Sequence, residues 1–368
     1  MKKPTVAIVR GKFLNKYEMQ MYEPLVDRYD ITAFGSLTSY HDTFAFPVVK
    51  LPSPMDLPDF SCGAGSRFAR PFLLPILNRL FIDAHYLWGL EEKLRGFDIV
   101  HTAETYFHYT QQCLAVKRAG NVKKVIATVL ENIPFNNEGI WGRKRFKAGA
   151  REELDHIVAL TQKTEEALIV EGADIKKMSV IPHFVDTKRF VSTRPRKIVR
   201  TILFCGRLEE YKGVFDFIEM ARRLPKNLRF VMVGDGSQKN KLKRPGVEIK
   251  SVSYDDMPSI YQEADIFVAP SKPTKTWEEQ YCTVILEAQA SGMPIVTTNT
   301  GGIPENIGEA GIIVSPGDVD AMTKAVKRLI DDPALRLAYS KKARARAVDV
   351  HDITIGAHKL DLLYQKLL

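Results

Sequence analysis

VAPSKPTKTWEEQYCTVILEAQASGMPIVTTNTGGIPE, residues 268–305, is the stretch that decides how this chain is read. An apolar run ends at Pro270, a polar loop follows, and a helical pattern covers 283–290. The first amides of a helix lack intrahelical acceptors, so the N–H groups of Cys282, Thr283 and Val284 are expected to face phosphate oxygens. Glu287 lies one turn further along and Glu279 precedes the helix, so two carboxylates flank that phosphate site. Carboxylates accept hydrogen bonds from hydroxyl groups. The arrangement suits a ligand with a diphosphate in the middle and hydroxyls at both ends. Two glutamates alone would be ordinary surface charge, and a second strand end is what changes that reading.

That strand end is ILFCGRLEEYKG, residues 202–213, where an apolar run stops at Gly206 and Arg207 and Lys212 follow. In an open parallel sheet the carboxyl ends of the strands face the ligand crevice, so both cations can reach one anion. RFVMVGDGSQ, residues 229–238, ends in Gly234-Asp235-Gly236. Small residues there allow close backbone approach to a ligand or make a tight turn. The third glycine of a dinucleotide fingerprint is missing, which argues against a dehydrogenase. Val252 and Ser253, after the strand VEIK, are the expected neighbours of a base.

Short apolar runs alternate with helical-period stretches throughout, the pattern of βαβ units that build parallel sheets. The expected strands are 6–9, 99–101, 125–129 and 157–160 in the first half, and 201–205, 229–233, 266–268 and 294–297 in the second. At 368 residues the chain exceeds what one core serves. Two Rossmann-like domains are expected, with a proline- and arginine-bearing linker over 180–200 between them. The boundaries drawn are 1–185 for the first domain, completed by a C-terminal helix over 352–368, and 186–351 for the second.

The formal net charge of +9 points to polyanionic partners. Nine Lys or Arg residues between Lys117 and Arg151 face only Glu131 and Glu138. No recognition helix or RNA-binding module accompanies that charge, so nucleic acid is not the expected partner. Cys62, Cys113, Cys205 and Cys282 have no zinc-like or disulfide spacing, which fits a reducing cytoplasm. The start MKKPTVAIVR reads as a first buried strand rather than a secretory signal.

Taken in order and spacing, GRLEEYKG, VGDG, the glutamates seven residues apart, EAQASGMPIV, TGGIPENI and GIIVSPGD resemble the retaining glycosyltransferases of family 4. The resemblance covers nearly all of the second half. It implies an α/β protein of the GT-B fold, whose two Rossmann-like domains have parallel sheets facing a central cleft and whose C-terminal helix packs back on the first. It also implies a hexosyltransferase that uses a nucleoside-diphosphate sugar, retains the anomeric configuration and needs neither cofactor nor metal. Arg207 and Lys212 would hold the diphosphate, Glu279 the transferred sugar and Glu287 the ribose, with Gly11, Gly206, Gly234, Tyr281, Cys282, Thr283 and Val284 lining the substrate. Positive groups aimed at charge developing on a leaving diphosphate lower the barrier most.

The sequence departs from the family at four places. Cys282 stands where glycine is common, and His183-Phe184 replaces Asn-Gly. The loop after the first strand has only Gly11, and Leu130-Glu131 replaces a histidine after the TV strand. Glu131 is read either as a carboxylate that orients the acceptor or as half of an ion pair. His101 is read either as a cleft residue or as a core histidine. A sugar-nucleotide epimerase and an inactive sugar-nucleotide-binding protein are the alternative functions.

Residues 67–88 join Arg67, Arg70 and Arg79 to a large apolar surface, and 140–151 mix Trp141 and Phe146 with five cations. Such pairing suits a lipid headgroup layer, so a sugar or lipid-linked acceptor and an anionic membrane surface are further expected partners. A buried helix pair and a solvated loop is the competing account. The chain is expected to be a cytoplasmic monomer or weak dimer, peripheral at the membrane face.

Overall fold

Residues 2–57, 66–191 and 196–368 are described by the computed structural model. Cys62 lies outside them, as do the side chains of Arg67 and Arg70. All the expected strands overlap observed ones, because each is a continuous apolar run, as strands covered on both faces must be.

The first unit comprises residues 1–182 and 356–368. Its strands are β1 (Thr5–Gly11), β2 (Asp30–Ser36), β3 (Val48–Leu51), β4 (Ile99–Ala103), β5 (Lys124–Val129), β6 (His156–Ala159) and β7 (Met178–Val180). They form one parallel sheet in the order β3-β2-β1-β4-β5-β6-β7. Val6 to Val9 of β1 are all fully buried. Helix Ile353–Leu367 contributes to this unit: the Tyr29 hydroxyl donates to Asp361 Oδ1 at 2.8 Å, Arg28 pairs with the same carboxylate, and Tyr364 is buried.

The second unit comprises residues 183–355. Its strands are β8 (Thr201–Cys205), β9 (Arg229–Val233), β10 (Val247–Lys250), β11 (Ile266–Ala269), β12 (Ile295–Thr298) and β13 (Ile312–Val314), in the order β10-β9-β8-β11-β12-β13. Every pairing is parallel. Helix Val319–Asp331 shows why local sequence suffices here. Met322, Ala325, Val326 and Leu329 are buried at a spacing of three and four, and Asp318 caps the start by accepting from Ala321 N at 2.8 Å.

The crossings between units fall at 182/183 and 355/356, three to four residues from those drawn on the sequence. Val185 accounts for the difference. It receives the chain returning near the C-terminus, donating to His351 O at 2.8 Å and accepting from Ile353 N at 3.2 Å, so both passages are held in the second unit.

Candidate functional site

In the second sheet the chain runs outward from β8 through β9 and β10, then restarts at β11 and runs the other way. The loops leaving β8 and β11 therefore part company, and ligands of open α/β sheets bind at such a switch point. These two loops carry the residues singled out above, 206–213 after β8 and 270–282 after β11.

Gly213 brings these two loops together, and Gly301 brings the turn after β12 onto the second of them. A Cβ on Gly213, at φ 71°, would lie 1.9 Å from Pro270 O, and one on Gly301, at φ 55°, would lie 1.8 Å from Glu279 O. Gly302 N then donates to the same oxygen at 2.8 Å, so the TGG turn grips the backbone of Glu279. Gly234 needs its missing side chain for packing too, since a Cβ there would meet Gly206 O at 1.9 Å.

The charges follow from this packing. Lys212 Nζ donates to Glu279 at 2.6 and 2.9 Å, and Ser271 Oγ donates to Glu279 Oε2 at 2.8 Å. The ammonium sits 5.0 Å from the Trp277 ring centroid. Of its three N–H groups, Glu279 takes two bonds. Arg207 is exposed, with its guanidinium 5.4 Å from the Tyr211 ring, and Tyr211 packs on Trp277 at 4.3 Å. A cation thus stands at the mouth of the loop and another is held inside by a buried carboxylate.

Helix Thr283–Ala290 begins at Cys282, whose φ is 60°. Left-handed backbone costs an L-residue about 1 kcal/mol and glycine nothing, so glycine would fit this position without strain. Asn306 Nδ2 donates to Cys282 O at 3.2 Å and ties the turn down. The Tyr281 side chain is buried, its hydroxyl 3.4 Å from His351 Nδ1, so it packs the turn from behind instead of lining a ligand. Glu287 is buried and accepts from the Tyr261 hydroxyl at 2.8 Å. Burial raises its carboxyl to about 7, against the pull of Tyr261, Tyr254 and Arg189. Ser253 is committed locally, donating to Asp256 Oδ2 at 2.7 Å and capping a short turn by accepting from Asp256 N at 3.3 Å, while Val252 beside it is half-exposed after β10.

The first unit corrects several expectations. His101 is a core residue: it is fully buried, Nδ1 lies 2.8 Å from the Tyr364 hydroxyl and Nε2 lies 2.7 Å from Thr128 Oγ1. Burial holds its imidazole well below the usual range, with Arg10 and His156 adding to the effect. Glu131 is half-buried and held by the turn that it closes. It accepts from Ile133 N at 3.0 Å, Asn136 Nδ2 at 2.8 Å and Asn137 Nδ2 at 3.1 Å, closing the turn after β5. Gly11 is crowded by the Tyr109 ring, 3.1 Å from where a Cβ would stand.

The basic aromatic patch over 140–151 is largely internal. Arg143 pairs with Asp83 at 2.6 Å, Arg151 with Glu171 at 2.8 Å, and buried Lys147 with Glu171 as well. Phe146 is buried and Trp141 is exposed. No helix among the described residues is long and apolar enough to cross a membrane.

Glu104 is the residue that sequence reasoning passed over. It follows β4 with φ 58°, is buried, and burial with Glu131 nearby pushes its carboxyl up to about 8. Its signal was its position, a lone carboxylate following an apolar strand, yet nothing in the spacing marked it as buried.

Comparison with known proteins accords with this geometry. The family pattern described as "Glycosyl transferases group 1" matches residues 199–332, and "Glycosyltransferase Family 4" matches 47–189. A glycogen synthase of Mycobacterium tuberculosis is 29% identical over 55% of this chain, which spans about half the length of that relative, 51%. The UDP-Gal:alpha-D-GlcNAc-diphosphoundecaprenol alpha-1,3-galactosyltransferase of Escherichia coli is 29% identical over 80% of this chain and 83% of its own. The Anabaena protein HepE, solved in complex with UDP, superposes with a TM-score of 0.75 at 15% identity, covering 99% of this chain and 100% of the other. The sheet order, the loop pair at the switch point and these two family patterns lead to one assignment: the chain belongs to the family-4 type of glycosyltransferase with the GT-B fold.

Proposed function

We propose that the chain transfers a hexose from a nucleoside-diphosphate sugar to a hydroxyl acceptor with retention of configuration and without a metal. The observation that carries this reading is the grouping, at one switch point, of Arg207, the Lys212–Glu279 pair and the helix start at Thr283, with Glu287 one turn beyond. Arg207, the third N–H of Lys212 and the helix amides bind the diphosphate and stabilise the charge it gains on leaving. Glu279 accepts from sugar hydroxyls and Glu287 from ribose hydroxyls. The base lies beside Val252, and uridine is the first to test because HepE was solved with UDP.

In the transfer step the sugar C1–O bond to the diphosphate breaks and the acceptor oxygen bonds to C1 on the same face. The acceptor proton passes to a leaving phosphate oxygen, so no protein base is required. A lipid-linked acceptor is favoured by the galactosyltransferase relative and by exposed Ile76, Leu80, Trp88 and Trp141.

A thermal-shift panel of nucleoside diphosphates and their sugars tests the donor reading, since a ligand bound at 100 times its Kd stabilises by about 2.7 kcal/mol. One nucleotide is expected to raise the melting temperature, and the anomeric proton coupling of the product then reports retention. No response to any nucleotide, or an inverted product, overturns the proposal.

A further inference from the structure

The two cations at the second unit's switch point each lie over an aromatic ring. The Arg207 guanidinium is exposed, stands 5.4 Å from the Tyr211 ring centroid, and among the described residues makes no side-chain hydrogen bond or ion pair. Its five N–H groups are free. The Lys212 ammonium stands 5.0 Å from the Trp277 ring centroid and bonds both oxygens of Glu279 at 2.6 and 2.9 Å. The two rings pack on each other, with centroids 4.3 Å apart and planes at 49°. One stack thus runs from Arg207 through Tyr211 and Trp277 to Lys212.

The stack joins two separate loops. Arg207, Tyr211 and Lys212 belong to the loop after β8, and Trp277 reaches over from the loop after β11. Backbone bonds fix both rings: Lys272 N donates to Tyr211 O and Thr274 N donates to Trp277 O, each at 2.7 Å. A carboxylate beside each cation would take up its N–H groups and cancel its charge. An aromatic face attracts a cation through its quadrupole, adds no formal charge and leaves the N–H groups free. Arg207 is held in this way alone. Lys212 already has one carboxylate, and the Trp277 ring restrains its ammonium from another side, so the third N–H keeps its direction. Donors fixed before binding lose little freedom when an anion arrives. The packed rings keep the two cations in one relation, because neither can shift without leaving its ring.

We infer that Trp277 and Tyr211 are positioning residues for the donor diphosphate: the ring pair seats Lys212 and Arg207 together while leaving their free N–H groups to the second phosphate. This role rests on the donor reading of the two loops. Neither ring touches the reacting atoms; both act through the cations.

The test is titration calorimetry on the full chain with UDP, GDP, ADP, CDP and dTDP and the five matching monophosphates. In the parent at least one diphosphate is expected to bind more tightly than its monophosphate. Trp277→Leu should lower that diphosphate-to-monophosphate affinity ratio roughly tenfold, and Trp277→Phe, which keeps a ring, should recover most of it. Tyr211→Leu and Tyr211→Phe form a second pair that acts through Arg207 and should give the same contrast, so the reading does not depend on one variant folding. A loop merely loosened by the missing side chain would weaken both nucleotides alike. An unchanged ratio in the folded leucine variants overturns the inference alone, as do phenylalanine variants no better than leucine ones. No binding of any diphosphate by the folded parent, or no preference for the second phosphate, overturns the donor reading and the inference with it.

Discussion

Replacing Lys212 by methionine separates what the Lys212–Glu279 pair does for stability from what it does for the ligand. The lysine and glutamate side chains are 16% and 7% exposed, which places the pair near the buried end of the range. Surface pairs contribute up to about 1 kcal/mol, and breaking a buried one costs about 3–5. The partial exposure of Lys212 sets the expected loss at the lower end, about 3 kcal/mol. A domain of this size then melts about 6–12 °C lower. The double variant Lys212→Met, Glu279→Gln removes both charges, while the amide oxygen it introduces can still accept from Ser271. Most of the lost stability should return, but the nucleoside-diphosphate shift should not. Urea unfolding with and without UDP reads both quantities. The reasoning fails if the double variant is no more stable than the single one, or if Lys212→Met keeps the full UDP response.

Glu287 makes stability depend on pH. Its carboxyl is at about 7 in the folded chain against an ordinary value of 4.5, so between those pH values the folded chain holds a proton that the unfolded chain has released. Stability therefore falls as pH rises through that window, by at most about 3 kcal/mol. Glu287→Gln should be more stable than the parent at pH 8 and little different at pH 4.5, with weaker nucleotide binding at both; parallel pH profiles in urea unfolding would contradict the burial argument. Gly301→Ala places a Cβ 1.8 Å from Glu279 O on left-handed backbone. A loss of about 2–4 kcal/mol is expected in urea, together with displacement of Glu279 and loss of the UDP shift. A fully active, stable alanine variant would show that the TGG turn does not position Glu279.

Local pattern carried much of this protein. Continuous apolar runs such as 201–205 and 266–268 have no other use than strands covered on both faces, and their alternation with helical periods leads to parallel sheets. β2, β3, β7 and β13 escaped notice because they are short, or mixed in character as in DITAFGS. Arg207, Lys212, Glu279 and Glu287 were legible because they sit at fixed offsets from strand ends and a helix start, where geometry is set within a few residues.

Partnership was not legible. The five cations of 140–151 looked like one surface patch, and tertiary contacts turned three of them inward onto Asp83 and Glu171. His101 and Glu104 lie close together in the chain, one within β4 and the other just past its end. One became a satisfied core group through Tyr364, a residue 263 positions away, while the other kept an unmatched oxygen. Sequence by itself determined the type of most elements, the sheet class and which loops leave the strands at their carboxyl ends, because those depend on hydrophobic period and backbone direction. Which charges meet, and which polar atoms are left over, only the tertiary structure decided, because hydrogen bonds and ion pairs form between groups brought near in space, at separations along the chain that no local pattern encodes.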